Sequence, residues 1–273
     1  MLSYERQSRM VEFVQQRTSA SVKELSDLFK VSTMTIRRDL EILEKKGLVT
    51  RVHGGVTGPI SPVVKREKER ETVNISQKAC IGEAGLHLIE EGQTIFIDAG
   101  TTTAELAKLL VHRHHITVVT NSVKVLFILA DAPEINLIGV GGTVYGGAWS
   151  FVGSLAEAAI RRFHSDLAFL GITSLSLDHG LTEINFFEAD MKTFIIHQSQ
   201  RVALLADSGK FEKVSPISVA PLSEIDLIIT DDLLSPQLEE AYRRSGSELI
   251  LANTVNRSNE TVRTNLIENK AIS

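Results

Sequence analysis

Residues 19–55 read SASVKELSDLFKVSTMTIRRDLEILEKKGLVTRVHGG, and the architecture of the first part of the chain follows from them. Near the start, Ser21 and Glu24 have the spacing of a capping box, in which the hydroxyl accepts a hydrogen bond from the first helical turn while the carboxylate reaches back. This pattern predicts a helix that runs to about Phe29. Another helix is predicted before it, over residues 4–17, because the apolar residues there recur at helical spacing.

A third helix is predicted over residues 32–46 of the same stretch. Ser32 follows a short turn and can cap this helix, and Gly47 can end it. The apolar run 48–52 and the glycine pair 54–55 then indicate a short strand and a turn, which together form a candidate β-wing. The first part of the chain is therefore expected to contain three short helices and a hairpin.

The third helix has two faces of different chemistry. Ile36, Leu40 and Leu43 recur at spacings of four and three, so they form a stripe that faces the core of this small domain. Two adjacent arginines, Arg37 and Arg38, lie near the start of the helix and away from that stripe, with threonines close by. The first residues of a recognition helix reach base edges in the major groove of DNA, where an arginine that grips guanine contributes about 1–3 kcal/mol of discrimination. The pattern is therefore typical of a DNA-binding helix.

A different interpretation is a solvated helix surface on which the two arginines pair with the nearby carboxylates of Asp39, Glu41 and Glu44. For an isolated Arg-Arg-Asp sequence that interpretation is the better one. Three neighbouring features favour DNA binding instead: the capped preceding helix, the four-residue turn, and the basic residues Arg51 and His53 in the wing.

Residues 19–55 resemble the winged-helix heads of DeoR-type bacterial repressors. The sequence TIRRDL, followed by a glycine-ended helix and by RVHGG, carries the resemblance and is far more specific than a general helix-turn-helix pattern. The resemblance implies that double-stranded operator DNA is a partner of this chain. It places on the recognition helix and the wing the residues Ser32, Thr33, Thr35, Arg37, Arg38, Arg51 and His53.

Charge is divided unevenly along the chain of 273 residues. The net charge is −5, but residues 1–72 contain 14 Lys and Arg against 10 Asp and Glu, giving +4, while the remainder has 15 against 24, giving −9. A mildly basic first part on an acidic body is expected when only one end of a protein meets phosphate. Hydrophobic residues make up 43% of the chain and charged residues 23%, which is ordinary for a globular protein.

Targeting and covalent features are few. The first segment, MLSYERQSRM, lacks the apolar core of a signal peptide, and no apolar run approaches the ~18 residues that cross a bilayer, so a cytoplasmic protein with no membrane partner is expected. The single cysteine, Cys80, excludes an intrachain disulfide and a zinc ribbon. His112, His114 and His115 lie in a predicted surface turn, and we expect neither a metal site nor a cofactor.

The remainder of the chain alternates apolar strands with amphipathic segments. We predict a winged helix-turn-helix domain over 1–56, a linker over 57–72, an α/β body over 73–253, and a polar, disordered tail over 254–273. The alternation predicts an α/β fold with a mainly parallel sheet that is covered on both faces. The predicted strands cover residues 94–98, 116–120, 135–140, 167–171, 201–206, 227–230 and 248–251.

Three polar loops follow predicted strands, at residues 98–103, 120–122 and 207–210. Ligands of open α/β sheets bind beyond the carboxyl ends of the strands, so the three loops are expected to converge on one crevice. In the first loop, Gly100 allows close backbone approach, and threonines lie beside the free N–H groups of a helix N-terminus, which attracts an anion. The same threonines can also simply cap that helix, and this interpretation stays open.

Glycines crowd the region between residues 139 and 153, around Trp149. Their spacing does not match the GxGxxG loop that opens a helix in dinucleotide-binding sites. We predict a flexible loop over the crevice, with tight turns that have no ligand role as the alternative.

The resemblance to DeoR-type regulators extends through the body to about Asp232. It is carried by IDAGTTTAELAKLL, VVTNS, GVGG, DLAFLGI, EADMK and LLADSGKF, which are similar to the sensor domain of that family. That domain is similar in fold to ribose-5-phosphate isomerase, so the resemblance implies a ribose-5-phosphate isomerase-like body and a phosphorylated sugar effector. Family members often read DSSK where this chain has Gly209 in the third position, which removes one hydroxyl ligand. The loops and the resemblance together predict as effector-binding residues Lys78, Asp98, Gly100, Thr101, Thr102, Thr103, Thr120, Asn121, Ser122, Glu188, Lys192, Asp207, Ser208 and Lys210.

The expected function is transcription regulation by a homo-oligomer, dimer or tetramer, that represses a carbohydrate-metabolism operon until its effector binds, with activation left open. The alternative is a sugar-phosphate isomerase with an accessory DNA-binding head, in which Glu188 is the candidate base. The related isomerases have a DGAD-type loop after the strand that corresponds to residues 167–171, whereas this chain continues without a carboxylate. We therefore predict that the body is not an enzyme and has no catalytic residues. A DNA-binding scaffold with an empty pocket is a third interpretation.

Overall fold

The computed structural model of the protein describes residues 3–17, 19–45, 49–52, 54–57 and 70–254. These ranges contain the helices and strands of the first domain and of the α/β body. Several positions singled out above lie outside the described residues: Gly47, Leu48, His53, most of the predicted linker (58–69) and the predicted tail from residue 255.

The N-terminal domain, called the head below, consists of three helices and a small antiparallel sheet. Its elements are α1 (Ser3–Arg17), β1 (Ser19–Ser21), α2 (Val22–Phe29), α3 (Thr33–Lys45), β2 (Thr50–Val52) and β3 (Gly55–Thr57). The strand order is β1-β3-β2, so β1 adds to the predicted hairpin a third strand that is too short for its period to be detected in the sequence. The predicted winged helix-turn-helix is therefore confirmed.

Capping and a small apolar core explain the fold of the head. The Ser21 hydroxyl accepts a hydrogen bond from the Glu24 N–H at 3.0 Å, as the capping box predicts. The Glu24 carboxylate was expected to reach back to the helix start, but it pairs with Arg17 of α1 at 2.9 Å. The apolar stripe of α3 is buried with residues of α1 and α2 and gives the head a core of its own. Its members are Ile36, Leu40 and Leu43.

The body is built on a seven-stranded parallel sheet. Its strands are β4 (Thr94–Ile97), β5 (Ile116–Thr120), β6 (Ile135–Gly139), β9 (Leu167–Gly171), β12 (Val202–Leu205), β14 (Leu227–Asp231) and β15 (Glu248–Ala252). Their spatial order is β15-β14-β12-β9-β4-β5-β6, and every neighbouring pair is parallel. All seven predicted strands are present, because strands of a parallel sheet are buried on both faces and therefore form apolar runs.

Helices cover both faces of this sheet, as predicted. They are α4 (Ile75–Leu86), α5 (Thr101–Leu110), α6 (Val123–Leu129), α7 (Ser154–Ile160), α8 (Phe186–His197) and α9 (Pro236–Arg243). Residues of α4, α5 and α6 share one apolar core with the sheet, and residues of α7, α8 and α9 share a second core with its other face. Within the described ranges, every helix is too short or too polar to span a lipid bilayer.

Short strands that the sequence did not predict complete the body. They are the hairpin of β7 (Thr143–Tyr145) and β8 (Ser150–Val152) and the antiparallel sheet of β10 (Ser174–Ser176), β11 (Gly180–Glu183) and β13 (Ile217–Ala220). The flexible loop expected in the glycine-rich region is wrong in part, because residues 143–152 pair as a hairpin. Segments of three or four residues are too short to show an alternation of apolar and polar positions.

Candidate functional site

α3 presents its first turn and its arginines at the surface of the head. The Ser32 hydroxyl caps the helix by accepting from the Thr35 N–H at 3.2 Å, and it shares a hydrogen bond of 2.9 Å with the Thr35 hydroxyl. Ser32, Thr33, Arg37 and Arg38 are exposed, and Thr35 is half-buried. The five residues predicted for the recognition helix therefore all reach solvent.

Asp39, on the buried side of α3, is bound to α1 rather than to its arginine neighbours. Its carboxylate accepts hydrogen bonds from Arg6 Nε at 2.6 Å and from Gln7 Nε2 at 2.9 Å. A buried carboxylate needs partners of this kind, because an isolated charge is strongly disfavoured away from water. These bonds fix α3 against α1 and keep Asp39 away from the exposed face.

Arg51 of the wing binds the other two carboxylates of α3. Its guanidinium pairs with Glu41 at 3.1 Å, and its backbone N–H donates to Glu44 at 3.0 Å. Arg51 thus holds the wing against α3, a contact that its predicted role at DNA did not include. In the part of the chain that the structure describes, neither Arg37 nor Arg38 forms an ion pair. Both cationic groups are therefore available to an anionic partner.

A cavity of about 460 Å³ opens in the body beyond the carboxyl ends of β4, β9 and β12. The loops after these strands meet there with the beginnings of α4 and α8 and with the end of β7. Most of the lining residues are polar, and both signs of charge are present. They are Arg70, Val73, Asn74, Lys78, Ala99, Gly100, Thr101, Thr102, Tyr145, Gly171, Ile172, Thr173, Ser174, Glu183, Ile184, Asn185, Glu188, Lys192, Asp207, Gly209, Lys210, Lys213 and Ser215.

Eight of the fourteen predicted effector residues line this cavity, and six do not. The eight that line it are Lys78, Gly100, Thr101, Thr102, Glu188, Lys192, Asp207 and Lys210. The six that the structure places outside its lining are Asp98, Thr103, Thr120, Asn121, Ser122 and Ser208. Each of them forms a hydrogen bond or an ion pair within the protein, so they support the walls of the cavity.

The loop after β5, expected to reach the crevice, forms part of its frame. The Thr120 hydroxyl donates to the Ile97 carbonyl at 2.5 Å, and the Ser122 hydroxyl caps α6. Asn121 holds the neighbouring loop, since its Oδ1 accepts from the Ala99 N–H at 3.0 Å. The loop thus lies outside the cavity lining, and its hydrogen bonds hold the frame of the cavity.

Two further predicted ligand residues form hydrogen bonds within the body. The Thr103 hydroxyl donates to the Gly100 carbonyl at 3.0 Å, which makes it part of the helix cap, as the alternative interpretation proposed. The Ser208 N–H donates to Asp231 at 2.7 Å. The two loops keep their shape through these bonds, while their other residues face the cavity.

Lys192 and Asp98 form a buried ion pair at the base of the cavity. Lys192 Nζ lies 2.5 Å from Asp98 Oδ2 and 3.6 Å from Glu183 Oε1, and all three side chains are buried. Burial by itself lowers the pKa of the Lys192 ammonium, but the charges of Asp98, Glu183 and Glu188 raise it above its usual range. Lys192 is therefore positively charged throughout the physiological pH range. Asp98 stabilises this charge and does not itself line the cavity.

Among the carboxyl groups that line the cavity, Glu188 has a pKa that departs clearly from its usual value. The side chain is half-buried and accepts a hydrogen bond from the Ser150 hydroxyl at 3.3 Å. Burial raises the pKa of Glu188 to about 7; the charge of Glu183 adds to this rise and that of Lys192 opposes it. A carboxyl group with such a pKa can donate as well as accept hydrogen bonds near neutral pH.

Further cationic groups line the cavity. Lys78 Nζ donates to the carbonyls of Arg70 at 2.5 Å and of Val73 at 2.6 Å, so it holds the segment that leads into α4. Lys210 lies on the loop after β12, and burial lowers the pKa of its ammonium group. Asn74 Nδ2 joins the two segments by donating to Asp207 at 2.8 Å.

Several lining residues were not predicted. Asn185 had a detectable signal, because a polar residue directly before an apolar helical run is typical of an N-cap. Its side chain indeed caps α8. The remainder come from short strands, turns and the end of the linker, where no periodicity marks them. The polar and charged members of this group are Arg70, Asn74, Tyr145, Thr173, Ser174, Glu183, Lys213 and Ser215.

Two family descriptions match the chain. The DeoR-like helix-turn-helix domain matches residues 6–60, and the DeoR C terminal sensor domain matches residues 73–232. The first match covers the exposed face of α3. The second covers the lining residues of the cavity except Arg70.

Similar proteins match over nearly the full chain. The HTH-type transcriptional regulator GlpR of Haloferax volcanii is 37% identical over 253 residues, covering 92% of this chain and 98% of that protein. The putative aga operon transcriptional repressor of Escherichia coli O157:H7 is 32% identical over 250 residues, covering 90% and 93%. Among solved structures, ribose 5-phosphate isomerase A from Methanocaldococcus jannaschii is similar with a TM-score of 0.39 and 15% identity, over 50% of this chain and 55% of that chain.

Proposed function

The chain belongs to the DeoR family of transcriptional regulators, and from that premise we propose that it represses a carbohydrate-metabolism operon until a phosphorylated sugar enters the cavity. The head binds double-stranded operator DNA through α3. One observation carries this proposal: Arg37 and Arg38 are exposed on α3 and form an ion pair with no described residue. The apolar side of the same helix is buried in the head core.

DNA binding is tested by selecting fragments from a random-sequence pool with the full chain and titrating the enriched fragment at several salt concentrations. A single enriched sequence family is expected. Its affinity should fall as salt rises, because each phosphate contact releases counterions. A pool that yields no enriched sequence contradicts the DNA-binding proposal.

The cavity is lined both by cationic groups and by neutral or acidic hydrogen-bonding groups, and this supports a phosphorylated sugar as the ligand. Lys78 and Lys210 offer positive charge to a phosphate, and the N-terminus of α5 offers N–H donors. Glu188 and Asn185, on the wall formed by α8, offer hydrogen-bonding groups to sugar hydroxyls. A volume of about 460 Å³ is in the range of small-molecule sites.

The ligand class is tested by thermal shift of the full chain with ribose 5-phosphate, fructose 1-phosphate, glucose 6-phosphate and glycerol 3-phosphate. The free sugars and inorganic phosphate serve as comparison. At least one phosphorylated compound is expected to raise Tm by mass action.

Lys210→Met should weaken the binding of that compound by tenfold or more, since a charge-assisted hydrogen bond contributes about 1.5–3 kcal/mol. Lys108→Met, on the surface of α5, is the matched control, and equal losses in both variants contradict this placement of the phosphate.

A sugar-phosphate isomerase is the second candidate function, and the pKa of Glu188 favours it. A carboxyl with a pKa of about 7 suits a general base at neutral pH. The loop that follows β9, at residues 172–173, supplies no carboxyl. The other lining carboxylates, Glu183 and Asp207, are bound by Thr173 and Asn74, so we propose binding without turnover, no catalytic residue and no cofactor. Incubation with ribose 5-phosphate tests this, because ketose formation that is lost in Glu188→Gln would favour the enzyme.

We also propose that the protein is a homo-oligomer, because two heads are needed to bind two half-sites. Large apolar side chains are exposed on α6, on the β7-β8 hairpin and at the start of α7: Phe127 is 84% exposed, Leu155 69%, Val144 50% and Trp149 49%. The Trp149 carbonyl accepts from the Val123 N–H at 2.9 Å, which places the hairpin against α6. Exposed apolar patches of a few hundred Å² mark interaction sites.

Light scattering should report the mass of a dimer or tetramer for the wild type. The double variant Phe127→Ser/Leu155→Ser should have a smaller mass, and a monomeric wild type contradicts the proposal.

A further inference from the structure

We infer that α8 transmits the occupancy of the cavity to the DNA-binding head, because the head itself completes the N-terminal cap of this helix. The inference rests on the proposed function and concerns the regulation of the same cavity. It identifies one contact, between Ser19 of β1 and the first residue of α8, as the coupling point.

The first N–H groups of α8 are bound by two different domains. An α-helix leaves the N–H groups of its first turn without partners inside the helix, so other groups must accept from them. Asn185 of the body accepts from the N–H groups of Phe187 at 2.9 Å and Glu188 at 3.3 Å. The Phe186 N–H donates instead to the hydroxyl of Ser19, in the head, at 3.0 Å.

The wing also rests on the first turn of α8. A Cβ atom added to Gly55, the first residue of β3, would lie 2.9 Å from the Phe187 ring and 2.5 Å from the Ala20 carbonyl. The wing backbone and the ring are therefore in close contact, and Phe187 is itself buried with the body core. Because β3 pairs with both β1 and β2, a displacement of this ring reaches every strand of the wing.

The same turns of α8 form one wall of the cavity. Asn185, Glu188 and Lys192 line it, and Lys192 is held at its base by Asp98. A ligand that bonds to Glu188 or Lys192 therefore pulls on α8 within two turns of the contact with the head. Hydrogen bonds weaken steeply beyond about 3.5 Å, so a shift of about half an ångström at the start of α8 separates a formed contact from a broken one.

The head carries such a shift on to α3. Arg51 of β2 pairs with Glu41 and binds Glu44 through its N–H, so the wing and α3 move as one unit. Breaking the contact at Ser19 therefore changes the angle of the head to the body while the head keeps its own fold. In an oligomer, that angle sets the spacing of the heads against the half-sites of the operator.

Ser19→Ala removes the coupling contact and leaves the cavity residues and the exposed face of α3 unchanged. Ser8→Ala is the matched control, since Ser8 is an exposed hydroxyl residue of α1. The full chain is titrated onto its selected DNA with and without whichever of the four phosphorylated compounds named above gives the largest thermal shift. The ratio of the two Kd values is the coupling factor.

Wild type and Ser8→Ala are expected to share a coupling factor in the range of about 5- to 150-fold. The factor should fall about two- to tenfold in Ser19→Ala, as the loss of one hydrogen bond implies, while DNA and ligand each still bind. An unchanged factor in Ser19→Ala overturns the inference. A wild type that binds both partners without coupling them also overturns it.

If no compound of the panel raises Tm, the proposed ligand is contradicted. The role of α8 in coupling is then tested without a ligand. Hydrogen exchange in residues 19–21 and 55–57 is then compared between wild type and Lys192→Met, which changes the cavity wall and not the head. Exchange that becomes at least twofold faster in these strands, beyond any change measured in the body strands β14 and β15, supports coupling through α8. Glu188→Gln replaces Lys192→Met if the latter does not fold, and unchanged exchange in the variant that folds overturns the inference.

Discussion

The pKa of Glu188 makes the stability of the body depend on pH, and Glu188→Gln isolates this dependence. The pKa lies at about 7 in the folded protein, above its ordinary value of 4.5, chiefly because of burial and then because of Glu183. A carboxyl whose pKa is raised by folding stabilises the fold only while it is protonated. Its contribution is complete below about pH 4.5 and is lost as the pH rises through about 7.

The structure sets the size of this effect. The difference between 4.5 and about 7 corresponds to about 3 kcal/mol, at 1.36 kcal/mol for each tenfold change in the proton equilibrium. Glu188 is only half-buried, so solvent screening reduces the expected effect to about 1–2 kcal/mol. Glutamine keeps the shape of the side chain and cannot ionise. As the pH rises from 5 to 8, the difference in unfolding free energy between the variant and wild type should therefore grow by about 1–2 kcal/mol in favour of the variant.

The assay is urea unfolding from about pH 5 to pH 8 at constant ionic strength, followed by the fluorescence of Trp149, the single tryptophan of the chain. Glu134→Gln, which removes an exposed carboxylate before β6, measures the effect of one charge less. The gain of Glu188→Gln over wild type should grow with pH, and that of the control should not follow the same course. A difference that stays constant across the range would refute the reasoning.

Two further substitutions test the packing around the two sites. Lys192→Met leaves two buried carboxylates without their cation and should lower the unfolding free energy by about 3–5 kcal/mol. Lys108→Met, in an exposed pair, should cost no more than about 1 kcal/mol, and equal losses in urea titrations contradict this account. Gly55→Ala adds a Cβ only 2.5 Å from a backbone carbonyl and should destabilise the head by about 1–3 kcal/mol. Gly146→Ala, which adds a Cβ in open space, should leave thermal unfolding unchanged; a head as stable in the first variant as in the second excludes the close contact.

The sheet and the recognition helix could be predicted because each has a long and regular chemical pattern. The apolar runs of the parallel strands and the stripe of Ile36, Leu40 and Leu43 are repeated often enough to identify the element and its buried side. The strands β1, β10, β11 and β13 have three or four residues each. Their pairing is decided by contacts with distant segments, which the local sequence does not contain.

The cavity was predicted in position and only partly in composition. The loops after β4 and β12 reach it because both strands adjoin β9 in the middle of the sheet. The loop after β5 lies one strand farther out, and its Asn121 serves the neighbouring loop instead. Arg70, near the end of the predicted linker, and Tyr145, in the β7-β8 hairpin, also line the cavity although they are distant in sequence from the loops after β4 and β12. The spacing of residues along the chain does not reveal contacts between segments that are so far apart in sequence.

Loss of operator binding in the double variant Arg37→Ala/Arg38→Ala is the most direct test of the central claim. Fluorescence anisotropy of the selected DNA fragment across salt concentrations is the measurement. Arg243→Ala/Arg244→Ala is the matched control, because these adjacent helix arginines are paired with glutamates. At about 1–3 kcal/mol for each base contact, Kd should rise by tenfold or more, with a shallower salt dependence. Wild-type affinity and salt slope in the α3 variant would show that this helix face does not meet the duplex.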